Sequence, residues 1–458
     1  MTDSPSIHLP SDPKEQSILD NLLTLRDDLS LLKQDRSTYI RADDVVKSYE
    51  ILIKQVRALN DVRKESGKPQ EQNRLDTVLE DCFQLISLAF MTIGRNNEAP
   101  ATYSLSSTMK RLLDHLVEAG FYSYKDLNSM EAQIQIMRES LQRGQEVYCS
   151  ELINLLSTRL DYCSKVLIDL KARIPKLCQV LSPEWEKLVS ILRSLAAANT
   201  RSCFPEAEVK SLEQELFKMR DGLKDGKFVH SDGKVPSNQD VVIALLQRCL
   251  LWAQLVQQKR GKIDQRYSDT YNKLREIRNQ LEKLELTRSW SMREIDLYGY
   301  QRQLDRIDES RVDGNFLDAE GNPADLHSQR TLLYLIRRSY AHIWFLLIAS
   351  EPVSEALLPI YNQLQTLRRC LVEVQKSGGV SSPRELYPYS MKLSSVDNMR
   401  VDGKFMVGND IPEGQGSINV LMAECFDILH ELRVEAESNS GSGTPTNQDI
   451  AQEVAASA

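Results

Sequence analysis

The sequence predicts an all-α protein, an elongated array of helical bundles built from an internal repeat of about 85–90 residues, with short loops or hairpins between helices. Three observations support this class. Apolar residues recur at helical spacing, as in Leu22, Leu25 and Leu29, strand-like alternation is nearly absent, and one block of sequence recurs along the chain. Repeated units that each leave an apolar face exposed bury that face by stacking.

The repeat is clearest in the second half of the chain. Arg293–Phe316 reads REIDLYGYQRQLDRIDESRVDGNF, and Arg384–Phe405 reads RELYPYSMKLSSVDNMRVDGKF. The same order recurs more faintly from Leu192-Arg193, and again near the start, where Ser66–Gln72 (SGKPQEQ) replaces the fuller loop. A helix with bulky apolar residues follows each loop. The predicted unit is therefore helix, helix, loop, helix.

The length of the chain bounds the number of compact units. At 458 residues it exceeds the size at which one hydrophobic core keeps growing. We expect a disordered N-terminal tail at 1–16, an N-terminal helical unit at 17–179, C-terminal helical repeat units at 180–435, and a disordered Ser/Gly/Thr-rich tail at 436–458. Residues 91–180 are predicted to be helical but do not align with the repeat.

Two predicted long helices join these bundles, Glu139–Ala172 and Gln254–Leu286. Their heptad-like apolar runs favour packing within the chain, and homodimerisation is the alternative. The most apolar run, Tyr340–Ser350, is about half the length that a membrane span requires. We therefore predict a core helix there and no transmembrane segment.

Charge and cysteine usage exclude several classes of protein. The chain has 57 Lys and Arg against 65 Asp and Glu, a net charge of -8, and no basic stripe with interleaved aromatics, so nucleic-acid binding is not expected. Its eight cysteines are widely spaced and form no C-x-x-C pair, which predicts buried free thiols in a reducing compartment. The first sixteen residues lack the features of a secretory signal.

The repeated D-G-[KN]-F loops are the first candidate interaction sites. Asp-Gly tolerates the positive φ of a two-residue hairpin turn, and the following Phe can fill the gap between helices. The alternative to this structural role is a composite surface, formed by several loops, for a protein partner. The candidate residues are Asp225, Gly226, Phe228, Asp313, Gly314, Phe316, Asp402, Gly403 and Phe405.

Arg220, Arg311 and Arg400 precede these loops and are candidate anion contacts. Arg311 and Arg400 each lie three residues after an aspartate, Asp308 and Asp397, so an ion pair on one helix face explains them. The alternative is an anion or phosphopeptide cradle, which requires the guanidinium groups to converge in the fold.

Catalytic and metal-binding patterns do not emerge from the sequence. The six histidines are far apart, with no H-E-x-x-H and no cysteine at zinc-ligand spacing. Neither a phosphate loop nor a nucleophile elbow is present. We therefore predict no cofactor, no metal and no catalytic residues.

The RVDG[NK]F block, the L-x-x-L-R helix before it and the Ser/Gly-rich tail resemble a fungal family of uncharacterised all-helical proteins with a paired domain of unknown function. The resemblance covers about 17–435 and implies a protein of cytoplasm and nucleus without an assigned enzymatic activity. Our first hypothesis is a non-catalytic protein-interaction or regulatory scaffold. The alternative is a binder of a small molecule or anion, including an enzyme, with its site where the repeat loops converge.

Overall fold

The computed structural model describes residues 8–66, 72–173, 181–224, 226–228 and 238–441, without the side chains of 66, 288–291 and 439–441. This part of the chain contains fifteen α-helices and, besides them, only 3-10 turns and isolated β-bridges. The helices are α1 Pro13–Gln34, α2 Ala42–Ser66, α3 Arg74–Thr92, α4 Thr102–Ala119, α5 Tyr124–Gly144, α6 Ser150–Arg173, α7 Ser182–Asn199, α8 Glu206–Asp221, α9 Gln239–Lys259, α10 Ser268–Ser291, α11 Leu297–Glu309, α12 Leu326–Ile348, α13 Leu358–Lys376, α14 Tyr387–Asp397 and α15 Gln415–Gly441. The predicted all-α class is confirmed.

Four copies of the predicted unit are present, each with two helices, a loop and a third helix. Copy 1 is α1–α3, copy 2 is α7–α9, copy 3 is α10–α12 and copy 4 is α13–α15. Helices α4–α6 form the segment that does not align with the repeat. The loop at 67–71 in copy 1 lies outside the described residues.

The predicted hairpin turns are confirmed in copies 3 and 4. Asp313 and Gly314 have φ of 49° and 77°, and Asp402 and Gly403 have 50° and 76°, the positive pair that a type I′ turn requires. Antiparallel bridges flank both turns and also join Lys224 to Lys227 in copy 2. Asp225 lies outside the described residues.

The chain divides into two compact units at a different place from the predicted boundary near 179. Unit 1 comprises residues 1–33, 48–88 and 97–350, and unit 2 comprises 34–47, 89–96 and 351–458. Residues 97–173 and copies 2 and 3 belong together because α12 packs on both α10 and α4. Both sides of the predicted boundary near 179 therefore belong to the same compact unit.

Each unit has its own apolar core. In unit 1, α7–α9 bury a cluster that includes Trp185, Leu188 and Trp252. In unit 2, α13–α15 bury a cluster that includes Leu364 and Phe405. Burial of such clusters is the main source of folding free energy for helices of this length.

Both predicted long helices are interrupted. The first breaks between Gly144 and Ser150, where α5 and α6 pack antiparallel instead of continuing as one rod. The second ends at Lys259, because Arg260 and Gly261 take positive φ and turn the chain before α10. The helical spacing of apolar residues continues on both sides of each break, so the sequence pattern predicted one uninterrupted helix in each case.

The helical region also extends into the predicted tails. Helix α1 begins at Pro13, and α15 continues to Gly441, five residues beyond the predicted start of the C-terminal tail at 436. Pro13 suits the first turn of a helix, where its missing N–H has no intrahelical partner. Residues 1–7 and 442–458 lie outside the described residues.

One helix in the described part of the chain, Gln239–Lys259, has the length and apolar composition of a membrane span, and 44% of its apolar stretch is buried inside the fold. A core helix has the same composition, so this is weak support for a span. The run Tyr340–Ser350 lies at the end of α12, where Tyr340 and Ile343 are buried, as predicted for a core helix.

Candidate functional site

A glutamine near the start of the third helix holds the repeated hairpin in three copies. In copy 3, the Phe316 N–H donates to Gln329 Oε1 at 3.0 Å, and Gln329 Nε2 donates to the Phe316 carbonyl at 2.8 Å. In copy 4, Phe405 and Gln415 make the same two bonds at 2.9 and 2.7 Å. The Phe228 N–H donates to a third glutamine in copy 2. In each copy the glutamine accepts from a phenylalanine N–H that the hairpin itself leaves unpaired.

In copies 3 and 4, where the whole hairpin is described, the phenylalanine is buried: Phe316 is 4% exposed and Phe405 is 1% exposed. This is the gap-filling role predicted for them. The other hairpin residues remain within reach of a partner, and Val312 and Val401 are 53% and 56% exposed. Recognition of a partner by the hairpins therefore stays a prediction. The sequence analysis did not identify the glutamines that hold the hairpins.

The three candidate anion contacts each have a carboxylate partner. Arg311 Nε lies 2.9 Å from Asp308, and its Nη1 lies 2.9 Å from Glu118. Arg400 pairs with Asp397 in unit 2, and Arg220 pairs at 3.0 Å with Asp221. The local ion pairs are thus present at Arg311 and Arg400. None of the three arginines lines the cavity described below, and their binding of an anion stays a prediction.

Buried thiols mark equivalent positions in three copies. In each, a cysteine of the third helix lies 3.5 to 3.7 Å from the carbonyl of a leucine in the first helix. The pairs are Cys82 with Leu22, Cys249 with Leu188, and Cys425 with Leu364. By this register Leu192, and not Arg193, occupies the position of Arg26. The alignment inferred from sequence was therefore displaced by one residue in copy 2.

The expectation of buried thiols holds for some cysteines only. Cys82, Cys163, Cys249 and Cys425 are buried, Cys149 is half-buried, and Cys203 and Cys370 are exposed. Cys178 lies outside the described residues.

We call Cys82, Cys249 and Cys425 the marker thiols. The residue before each of them differs in charge from copy to copy. In copies 1 and 4 it is acidic and pairs across the bundle, Asp81 with Arg26 at 3.7 Å and Glu424 with Arg368 at 2.6 Å. In copy 2 the corresponding residue is Arg248. The two outer copies therefore neutralise a position that copy 2 leaves positive.

Copy 3 carries Ser339 where the other copies carry the marker thiol, and the residue before it is Arg338. Among the described residues, no carboxylate lies within ion-pair distance of Arg248 or Arg338. Both arginines line one cavity in unit 1.

We call this space the arginine cavity; its volume is about 510 Å³. It lies among α4, α5, α7, α9, α10 and α12. Its charged lining residues are Arg193, Arg248, Arg330, Arg337 and Arg338, with Asp126 and Glu285. The remaining wall is mainly apolar and includes Trp252, Trp344, Phe345 and Tyr334.

Arg248 and Arg330 are partly satisfied by groups that carry no full negative charge. Arg248 Nη2 donates to the Ala119 carbonyl at 2.9 Å, and its guanidinium lies 5.2 Å from the Phe121 ring centre. The Arg330 guanidinium lies 5.5 Å from the Trp252 ring centre. Burial lowers the pKa of both arginines, and the charge of Arg248 lowers the pKa of Arg330 further.

Arg337 shares its carboxylate with the hairpin arginine. Its Nη2 lies 3.4 Å from Glu118 Oε2, while Glu118 Oε1 accepts from Arg311. Burial lowers the pKa of Arg337, Glu118 opposes that shift, and Arg311 and Arg248 add to it. Within the described part of the chain, Arg337 Nε and Arg330 Nη1 are buried without a hydrogen-bond acceptor. Such groups are costly to bury unpaired.

His342 adds one titratable group to the cavity wall. Its Nδ1 lies 2.6 Å from Glu285 Oε2, and its buried Nε2 has no hydrogen-bond partner among the described residues. Burial lowers the pKa of His342, Arg338 lowers it further, and Glu285 opposes both. In the neutral imidazole, Nδ1–H donates to Glu285, so Nε2 carries a lone pair.

A second space adjoins the arginine cavity and shares Arg193, Tyr334 and Arg338 with it. We call it the arginine cleft; its volume is about 820 Å³, and it lies among α7, α10, α12 and the segment after α7. Its other lining residues are mostly polar and include Arg201, Ser202, Cys203, Arg275, Arg278 and Glu282. Arg193 and Arg201 have carboxylate partners outside the cleft, Asp126 and Glu208, both at 2.5 Å.

Sequence reasoning missed this site. Its arginines are distributed over two copies of the repeat and lie on helix faces that look solvated in sequence. The available signal was the exchange of an acidic residue for arginine at one repeat position. Across the described ranges, no group of three or more His, Cys, Asp or Glu side chains is placed to hold a metal ion.

Comparison with known proteins places the chain in a fungal family. The family model described as "Protein of unknown function (DUF2408)" matches residues 174–294 and 350–455. The Saccharomyces cerevisiae Cu(2+) suppressing and bleomycin sensitive protein 1 is 36% identical and covers 95% of this chain and 92% of its own length. The Schizosaccharomyces pombe CUB1 family protein C30C2.08 is 36% identical, covering 93% and 95%. No solved structure matches. The two matched segments agree with a paired domain, and the chain belongs to the CUB1 family of fungal proteins.

Proposed function

We propose that the protein is a non-catalytic binding protein for an anionic ligand, which it holds in the arginine cavity. The observation that carries this proposal is the half-buried cluster of Arg248, Arg330 and Arg337. Only Arg337 has a carboxylate partner within the described residues, and it shares that partner with Arg311. An uncompensated cationic cluster destabilises the fold, so a bound anion would supply the missing charge.

The balance of charge around the cavity supports the same function. The chain as a whole has a net charge of -8, yet five arginines and two carboxylates line this one space. All five cations are arginines. A guanidinium can donate two parallel hydrogen bonds to a phosphate or carboxylate, whereas a lysine offers a point charge. A volume of about 510 Å³ lies within the usual range for small-molecule sites.

The repeated hairpins are the other candidate, as contact points of an interaction scaffold. Phe316 and Phe405 are buried and their backbone is held by glutamine, which a structural role of the hairpins explains. We therefore place the first test on the cavity.

The test is isothermal titration of the full chain with inorganic pyrophosphate, beside sodium chloride at equal ionic strength. We expect saturable binding that Arg330→Gln weakens by about tenfold, which corresponds to about 1.4 kcal/mol. Arg433→Gln, an exposed arginine that pairs with Glu437 in unit 2, is the matched control and should bind normally. Heat no larger than that from sodium chloride, or equal loss in both variants, would overturn the proposal.

A further inference from the structure

The arginine cavity and the arginine cleft are adjacent and offer two chemical environments. Arg193, Tyr334 and Arg338 line both spaces, so the two spaces meet at side chains and not at helix backbone. Arg338 itself is exposed and has no carboxylate partner among the described residues, which leaves its guanidinium available at the junction.

The inner environment is apolar beyond its arginines. Leu112 and Leu116 of α4, Met130 of α5 and Phe345 and Ile348 of α12 face the arginine cavity. A lone phosphate would leave most of that apolar surface in contact with water, which is unfavourable. The cavity therefore favours a ligand with an apolar or aromatic body.

The outer environment is polar and cationic. Arg275 and Arg278 face the arginine cleft from one side of α10, and Ser202 and Thr200 follow α7. Arg278 Nη2 reaches only the Thr200 carbonyl, at 3.5 Å, and its buried Nε has no acceptor in the described structure. Arg275 stacks at 5.4 Å on Tyr271 and has no carboxylate partner there. These groups suit oxygens that carry more than one negative charge.

We infer that the ligand is an amphipathic polyanion, with an apolar body against the wall of the arginine cavity and a diphosphate or longer phosphate head that extends from the arginines of the cavity into the arginine cleft. This inference rests on the proposed function and adds the class of ligand to it. Two chemical classes have such a composition, nucleotides with an aromatic base and isoprenoid diphosphates with an aliphatic chain. The stacking of Arg330 on Trp252 and the aromatic residues of the wall suit both bodies.

The binding experiment compares heads, bodies and their combinations on the full chain by isothermal titration. Pyrophosphate supplies the head alone, adenosine and farnesol supply bodies alone, and ATP and farnesyl diphosphate supply both. We expect ATP or farnesyl diphosphate to bind at least about tenfold more tightly than pyrophosphate and than its own body alone. Whichever of the two binds identifies the body.

Two variants separate the two environments. Ala341→Trp fills the space for the apolar body in the arginine cavity, so it should weaken the combined ligand about tenfold more than it weakens pyrophosphate. Arg275→Gln with Arg278→Gln should weaken the combined ligand and pyrophosphate alike. Circular dichroism verifies that each variant is folded. If Ala341→Trp does not fold, Ala196→Phe fills the same cavity from another helix.

Alkylation of a natural cysteine tests independently whether the phosphate head lies in the arginine cleft. Cys203 is exposed and lines the arginine cleft, whereas Cys370 is exposed in unit 2. With ligand bound, iodoacetamide should modify Cys203 several-fold more slowly and Cys370 at an unchanged rate.

The outcomes separate this inference from the proposed function. If pyrophosphate binds as tightly as ATP and farnesyl diphosphate, the inference is wrong and the proposed function stands. Bodies that bind as tightly as the combined ligands, or a Cys203 that the bound ligand does not protect, also overturn the inference. If none of the anions binds, both fail.

Discussion

Arg311, beside the DGNF hairpin, and Arg337, in the wall of the arginine cavity, share one carboxylate. Glu118 Oε1 lies 2.9 Å from Arg311 and its Oε2 lies 3.4 Å from Arg337. Arg311 also donates to the Gly314 carbonyl at 3.0 Å, so the chain of contacts reaches the turn itself. The charge state of the cavity and the anchoring of this hairpin therefore depend on the same side chain.

Glu118→Gln should strengthen anion binding and weaken the fold. The substitution removes the carboxylate that pairs with Arg337, which raises the positive potential in the cavity, and we expect about threefold to tenfold tighter pyrophosphate binding. Loss of the Arg311 pair should lower the free energy of unfolding by about 1 kcal/mol. Isothermal titration and urea denaturation measure the two effects. Glu131→Gln, an exposed partner of Lys171, is the control; weaker binding in Glu118→Gln contradicts the prediction.

Arg330→Gln should make the ligand-free protein more stable while it weakens binding. The buried Nη1 of Arg330 has no acceptor in the described structure, so removal of the charge relieves a desolvation cost of about 1 kcal/mol. Thermal unfolding without ligand measures the gain. A structural arginine would show the opposite sign, a lower midpoint than the wild type, and that result would exclude the cavity as a strained binding site.

Gln329→Ala should destabilise copy 3 by about 2–3 kcal/mol. Two hydrogen bonds to the buried Phe316 backbone are lost. The Phe316 N–H is left without a partner, whereas its carbonyl still accepts from the Ala324 N–H at 3.1 Å. Urea denaturation monitored by circular dichroism gives the change. Gln303→Ala removes an exposed glutamine bonded to the Gly299 carbonyl, and it should cost less than about 0.5 kcal/mol. Equal effects of the two substitutions would show that the glutamine does not hold the hairpin.

Asp313→Ala should cost about 1 kcal/mol, and Asp313→Asn should be close to neutral. Asp313 has φ of 49°, a conformation that asparagine tolerates nearly as well as aspartate and that alanine does not. Thermal unfolding of the two variants distinguishes this backbone effect from a role of the carboxylate. If Asn costs as much as Ala, the charge and not the turn conformation is what matters.

His342→Gln should reduce the loss of stability in mild acid. The folded-state pKa of His342 lies below its ordinary value of 6.5, chiefly because the ring is buried. As pH falls below 6.5 the unfolded chain takes up a proton that the folded chain does not, so stability falls until the pH reaches the lowered folded pKa. Melting temperatures from pH 7.5 to 5 should therefore decrease less in His342→Gln than in the wild type. The exposed His430→Gln should follow the wild type.

Local features of this fold could be predicted from sequence because short-range chemistry determines them. The Asp313–Gly314 turn follows from the φ preferences of two adjacent residues. The ion pairs of Arg311 and Arg400 follow from spacing on one helix. The breaks at Gly144 and Arg260 were missed because apolar periodicity continues on both sides of them.

The arginine cavity could not be predicted, because it exists only once α4, α9 and α12 are packed together. On α12 alone, Arg337 and Arg338 resemble an ordinary solvated face. Arg248 lies on another helix, and sequence offers no measure of the distance between them. Two features of the fold distinguish these arginines from surface ones: Arg337 is largely removed from solvent, and no described carboxylate lies beside Arg248.

The labelling rates of the marker thiols report how often each copy opens locally. Cys82, Cys249 and Cys425 are buried in copies 1, 2 and 4, and burial raises the pKa of Cys249 to about 12 and that of Cys425 to about 11. A thiol reagent can therefore react with each only after its own copy opens. Mass spectrometry of the labelled peptides would time the three copies in one unmodified chain. Equal labelling rates would mean that the three copies unfold cooperatively. Unequal rates would rank the copies by their stability against local unfolding.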